Sequence, residues 1–240
     1  MERTLIWRQL YYDTQPIDGR TSIPFFIESD ENSESVTAMS ERAALQWLFS
    51  SPGFSQDFSA FLFEDMRQVE LLYEKVEPIT HRHNKPGDID LILCSNELPH
   101  EAIAFECKRV KVTSESPTMS RVNNRNALRT GVKQANGLQS LGFFQSYLLV
   151  ILLDDVRHRD YRNIMMRNSK GEAIEEVFEI PQNEPIHADV GVIYVKITQP
   201  TGKHVNDMAG IGFCIDKEAG RQSQRESLTQ DIKQLLATNK

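Results

Sequence analysis

Two short segments carry the residues that could do chemistry. The first reads Gly87-Asp88-Ile89-Asp90-Leu91-Ile92-Leu93, the second Ala104-Phe105-Glu106-Cys107-Lys108. Both read as apolar strands interrupted by acids. Side chains alternate faces along a strand, so Ile89, Leu91 and Leu93 are expected on one face and Asp88 and Asp90 on the other. Phe105 and Cys107 oppose Glu106 and Lys108 in the same way. A carboxylate set into an apolar strand is costly to bury without a partner. One available partner is structural, an ion pair of Asp90 or Glu106 with Lys108 or a helix arginine. The other is a divalent cation held by Asp90, Glu106 and the main-chain carbonyl of Cys107. Mg2+ suits such a set, because it binds through one or two carboxylates, keeps several waters and accepts substrate phosphate. Lys108 would stand beside the ion, where it could orient water and offset charge developing on phosphate.

This pattern resembles the PD-(D/E)xK nuclease superfamily, which includes restriction endonucleases and archaeal-type Holliday junction resolvases. The resemblance rests on Gly87-Asp88-Ile89-Asp90-Leu91-Ile92 followed by Phe105-Glu106-Cys107-Lys108. It implies an α/β fold with a restriction endonuclease-like core: a helix, a three-strand meander, a second helix and a further strand. It also implies a metal-dependent endonuclease acting on DNA with Mg2+ or Mn2+, cutting by in-line attack of water on phosphorus. Asp90 fills the family's metal-binding aspartate, Glu106 the second acid and Lys108 the lysine. Asp88 stands where some members carry another acid. The family often adds an acid from the preceding helix; Glu70 is expected in that role, with Glu74 next to it. Some exonuclease-like members place a glutamine on the following helix, which Gln134 matches. Leu138 stands where those members carry an aromatic, and Pro86 precedes Gly87 rather than the aspartate. A nuclease-fold module that binds nucleic acid or protein with catalysis lost is the alternative.

Charge distribution points toward phosphate as well. The chain of 240 residues has a formal net charge of −7, which excludes an overall basic nucleic-acid binder but not a local basic face. Residues 1–60 hold four basic and nine acidic residues, whereas residues 107–133 hold seven basic residues and one acid. A second basic run contains Arg157, Arg159, Arg162, Arg167 and Lys170. Arg121, Arg125, Arg129 and Lys133 recur every four residues and are expected along a helix as a phosphate-contacting row; a solvated helix face is the competing reading.

The elements that must position these groups follow from periodicity. Gln56–Val76 has one apolar stripe at helical spacing and is predicted as a long helix, as is Met39–Phe49. Asp88–Ser95 and Glu101–Val110 are predicted strands. Ser120 or Asn123 is expected to cap a helix running to Leu141, and Ser146–Leu153 to form a strand buried on both faces. A helical or mixed stretch at Asp160–Phe178, strands at Ala188–Ile197 and Gly212–Ile215, and a helix at Arg221–Leu236 complete the chain. Thr4–Tyr12 and Ser22–Ile27 read as N-terminal strands. The expected architecture is a single domain over 1–240 with a central mixed β-sheet flanked by helices. Its nuclease core spans about 56–155, with β/helical additions at 1–55 and 156–240.

Other chemistries find little support. Cys94, Cys107 and Cys214 form no CxxC pair, so neither a disulfide framework nor structural zinc is expected. His81 and His83 could share a strand face, but a loop is an equal reading. No nucleophile elbow or Walker loop is present. The longest apolar run, Tyr147–Leu153, is far shorter than the roughly 20 residues a membrane helix needs. The start, Met1–Trp7, has no apolar stretch of signal-peptide length, so a cytoplasmic protein is expected. Paired cuts in a duplex would suit a homodimer.

Overall fold

A computed structural model of the chain describes residues 35–50, 52–63, 68–75, 79, 88–116, 119–123, 125–155, 172–199 and 210–238. The predicted N-terminal strands, the His81/His83 pair and the basic run at 157–170 lie outside the described residues.

The described residues form one mixed sheet flanked by helices. Its strands are β1 (Glu70–Lys75), β2 (Ile89–Cys94), β3 (Ile103–Ser116), β4 (Met119–Asn123), β5 (Gln145–Asp155), β6 (Val190–Gln199) and β7 (Gly210–Lys217). The order is β1-β2-β3-β5-β6-β7, with β4 paired to β3. β3, β5 and β6 run parallel; the other pairings are antiparallel. The helices are α1 (Glu41–Ser50), α2 (Pro52–Phe63), α3 (Arg125–Leu141), α4 (Glu172–Asn183) and α5 (Glu226–Thr238). None of the described helices is long and apolar enough to cross a membrane.

Burial explains the layering. β5 is buried from Gln145 through Asp154, as the continuous apolar run requires of a strand with helices on both faces. Tyr147, Leu149, Ile151 and Leu153 pack toward α1 and α2, while Leu148, Val150 and Leu152 join Leu128, Val132 and Ala135 of α3. The first layer is rich in aromatics. Phe54 and Phe58 stack at 5.4 Å, Phe58 lies 5.9 Å from Phe105, and Phe105 stacks on Tyr147 at 5.6 Å. Phe143 and Tyr147 are core; Phe144 is half-buried, with the Arg221 guanidinium 6.0 Å from its ring centre.

The structure corrects three predicted helices and one strand face. The long helix at Gln56–Val76 does not form: α2 ends at Phe63, and Glu70–Lys75 is strand β1. The apparent helical stripe is two patterns joined end to end. Phe58 and Leu62 belong to a helix, but Val69, Leu71 and Tyr73 pack on the α1/α2 side while Leu72 packs on the other, which is the two-residue period of a strand. The helix expected from Ser120 or Asn123 starts only at Arg125, because β3 runs on to Ser116 and folds back as β4, with Val112 opposite Val122. Ile89 packs with Leu72 and Ile92 rather than with Leu91 and Leu93, at a point where the β2–β3 register has already ended.

The last helix also starts later than predicted. Residues 221–225 are instead a strap over the sheet's end. Gln222 Nε2 donates to the Phe143 carbonyl at 2.8 Å, Gln224 Nε2 to the Pro99 carbonyl at 2.9 Å, and Gln224 Oε1 accepts from the Ala102 amide at 3.0 Å.

Candidate active site

The site grows out of an interruption in the sheet. β2 pairs with β3 only through Leu93↔Ile103, Ile92↔Ala104 and Leu91↔Phe105. β4 takes up the same edge of β3 from Lys111 onward. Between those pairings, the amides of Cys107 and Arg109 face side chains instead of a strand. The Cys107 amide donates to Asp90 Oδ2 at 2.6 Å and the Arg109 amide to Glu41 Oε2 at 2.8 Å. Two carboxylates thus do for β3 what a neighbouring backbone would otherwise do. On its opposite edge β3 pairs with β5 without a break, which holds Glu106 beside Leu148 and Lys108 beside Val150.

Glu106 and Lys108 lie on the α3 face, opposite Phe105 and Cys107, as strand alternation predicts. Glu106 is 1 % exposed. The Lys108 ammonium donates to Glu106 Oε1 at 2.6 Å and to the Cys107 carbonyl at 2.7 Å. Its Nζ is 4.0 Å from Glu41 Oε1. The lysine stem is pinned from above by α3: a Cβ on Gly131 would stand 2.6 Å from Lys108 Cγ and 2.9 Å from Leu148 Cδ1. Only a glycine lets helix and lysine approach this closely.

The electrostatics follow from burial of several charges around one ammonium. Burial by itself would depress the Lys108 pKa, but the charge and hydrogen bond of Glu106, with Glu41 and Asp90 behind it, leave it raised above the ordinary lysine value. Burial pushes the Glu41 carboxyl up; Lys108 and the Arg109 amide oppose that, and Asp90 adds to it. The Cys107 thiol is held well above its usual range by burial first, then by Asp90, Glu41 and Glu106. Cys107 therefore offers its carbonyl rather than its sulfur.

Asp90, Glu106, Lys108 and the Cys107 carbonyl come together as their spacing implies. The other expected site residues fare differently. Glu70 is not on a helix; it sits on β1 opposite Cys94, at the far end of β2 from Asp90, where Asn96 Nδ2 donates to it at 3.4 Å. Glu74 pairs with Arg42 at 2.7 Å. Asp88 is exposed just ahead of β2. Gln134 is half-buried on α3, three residues past Gly131, and takes no part in the hydrogen bonds that join Asp90, Glu106 and Lys108. Leu138 is core.

The basic row is not one helical face. Arg121 is on β4 opposite Thr113, and Arg125 opens α3. Arg129 pairs with Glu184 of α4 at 3.0 Å, and Lys133 is exposed. Four-residue spacing fits a helix, but the pairing of β4 with β3 takes Arg121 out of it.

Glu41 is the residue that sequence reasoning missed. Its helix is legible: the Ser40 hydroxyl caps it by accepting from the Ala43 amide at 3.1 Å, and Ala44, Leu45, Leu48 and Phe49 form its buried face. Nothing local announces that its carboxylate meets β3, 68 residues away in the chain. Contact is secured by Arg109, whose side chain donates to the Met39 carbonyl just before α1.

No protein-family model matches the chain, and no curated protein matches it in sequence. Among solved structures, that of Pyrococcus furiosus SfsA in complex with Ca2+ is similar with a TM-score of 0.28 and 11% identity. The alignment covers 71% of this chain and 63% of that one, so this chain spans less than two thirds of that protein's length. At that TM-score the likeness carries no conclusion about activity.

Proposed function

We propose that the chain is a metal-dependent phosphodiesterase acting on nucleic acid, and specifically a DNA endonuclease that works with Mg2+ or Mn2+. One observation carries this reading. Glu106 and the Cys107 carbonyl hold the Lys108 ammonium at the interrupted strand edge, with Glu41 Oε1 4.0 Å away and Asp90 accepting the Cys107 amide beside them. The choice of DNA and of endonucleolytic cutting comes from the superfamily resemblance of Asp90, Glu106 and Lys108.

The donor set fits a hard cation. Every candidate donor is oxygen. Among the described residues no three His, Cys, Asp or Glu side chains are grouped so as to hold an ion by themselves. Asp90, Glu106 and the Cys107 carbonyl would hold it, with water and substrate phosphate completing the sphere, an arrangement that suits Mg2+. A bound ion of this kind supplies Lewis-acid polarisation of a phosphoryl oxygen. The chain's own residues do the rest. Lys108, charged beside Glu106, faces the developing negative charge and orients the attacking water. The exposed Lys133 on α3 contacts the phosphate backbone without reading sequence. The same geometry also favours a second reading, a binding module without catalysis, because the Lys108 ammonium already neutralises the acid pocket.

Incubating the protein with plasmid, linear, branched and single-stranded DNA and with RNA, in Mg2+, Mn2+ or EDTA, tests both. Cleavage that needs the divalent ion and disappears in Lys108→Ala and Asp90→Asn is expected. Cleavage that survives both substitutions would defeat the site assignment, and binding without cleavage in every metal would select the module.

A further inference from the structure

Lys108 has two carboxylates within reach and rests on one of them. Its Nζ is 2.6 Å from Glu106 Oε1 and 4.0 Å from Glu41 Oε1. The two groups it does touch, the Glu106 carboxylate through Oε1 and the Cys107 carbonyl, are among those assigned above to a divalent cation. An ammonium and a divalent ion held by the same carboxylate and carbonyl repel each other at contact distance and compete for the same lone pairs. Cation binding therefore favours displacement of the lysine tip.

We infer that Glu41 is a positioning residue: it receives the Lys108 ammonium when a divalent cation takes Glu106 and the Cys107 carbonyl. This rests on reading the cluster as a cation site. Glu41 is built for such a role. Its Oε2 is anchored on the Arg109 amide, so the carboxylate cannot drift, and its Oε1 faces Lys108. The anchor lies two residues beyond Cys107 along the same edge of β3, which keeps Glu41 beside the cation position rather than in it. The lysine stem, held between Gly131 and the sheet, leaves only the tip to swing. In the displaced state the lysine stays charged, and it stays beside the reacting phosphate.

A double-mutant cycle read by Mn2+ binding tests this without recourse to activity. Wild type, Lys108→Met, Glu41→Gln and the double variant are titrated with MnCl2, following the free ion by electron paramagnetic resonance. Circular dichroism melting confirms that each variant is folded, and Lys108→Gln stands in if the Met variant is not. Glutamine keeps an acceptor for the Arg109 amide. Lys108→Met is expected to bind Mn2+ about tenfold more tightly or better, the scale of one charge-assisted hydrogen bond no longer competing. Glu41→Gln is expected to weaken binding several-fold in wild type and to have little effect once Lys108 is gone. Equal weakening in both backgrounds would make Glu41 a direct ligand and overturn the proposal, as would Lys108→Met binding no more tightly than wild type. If neither wild type nor Lys108→Met binds Mn2+, the cation site itself falls, a pattern distinct from the other two.

Discussion

Asp90 takes the place of a strand at Cys107. Its Oδ2 accepts the Cys107 amide at 2.6 Å where the β2–β3 ladder has already stopped. The carboxylate is thus both a chemical group and a piece of the sheet. With Glu41 at the Arg109 amide, it fills the gap and fixes the edge of β3 that carries Glu106, Cys107 and Lys108.

Asp90→Ala and Asp90→Asn should therefore separate structure from charge. The alanine variant leaves a buried amide without its acceptor and is expected to lose about 1–3 kcal/mol of stability, whereas asparagine keeps an acceptor oxygen and should lose distinctly less. Urea unfolding of the two variants measures the difference. Equal losses would mean that the Cys107 amide does not depend on Asp90.

Gly131→Ala runs against helix propensity. In an ordinary helix interior the change gains up to ~1 kcal/mol. Here the new methyl meets Lys108 Cγ and Leu148 Cδ1, at 2.6 Å and 2.9 Å before any adjustment. Overpacking of this kind costs about 1–3 kcal/mol, so net destabilisation is expected. Thermal denaturation should show a lowered Tm, partly restored when Lys108→Ala removes one of the two obstructing side chains. A Tm above wild type would show that α3 does not press on the lysine stem.

Stability should fall on the alkaline side. Burial, with the Glu70 charge, raises the Cys94 thiol from 9.0 to about 12, and burial, with Cys107, raises Tyr73 from 10.0 to about 12. The unfolded chain releases these protons near the ordinary values and the folded chain keeps them. Their contribution is complete below about pH 9 and is lost as pH rises toward 12, at about 1.4 kcal/mol per pH unit for each proton. The urea midpoint measured between pH 8 and 11 should drop above 9, less steeply in Cys94→Ala. A flat midpoint over that range contradicts the burial of these groups.

Arg129 and Lys133 should behave differently although they occupy one helix. Arg129 is tied to Glu184, an exposed pair contributing at most about 1 kcal/mol, so Arg129→Ala should change stability little. Lys133→Ala should weaken DNA binding alike across sequences and reduce the salt dependence of log K by about one unit. Gel shifts over a range of KCl concentrations test this; an unchanged slope removes Lys133 from the phosphate contacts.

Much of this protein was legible residue by residue. Asp90, Glu106 and Lys108 stand out because acids in apolar strands are expensive, and strand alternation is local, so the shared face of Glu106 and Lys108 follows from spacing alone. β5 and β6 are equally plain, since continuous apolar runs have few other uses. Tertiary contacts decided the rest. Whether Glu70 belonged to a helix or a strand turned on pairing with β2, which a stripe of apolar residues cannot disclose. Arg121 left its helical row because β3 continued into a hairpin. Glu41 entered the site because the sheet opens beside Cys107 and a helix end closes over the opening, a meeting between distant parts of the chain. Local sequence determines which side chains are chemically able; only the packed sheet determines which of them meet, because the gap that admits them is a property of strand registers and not of any one segment.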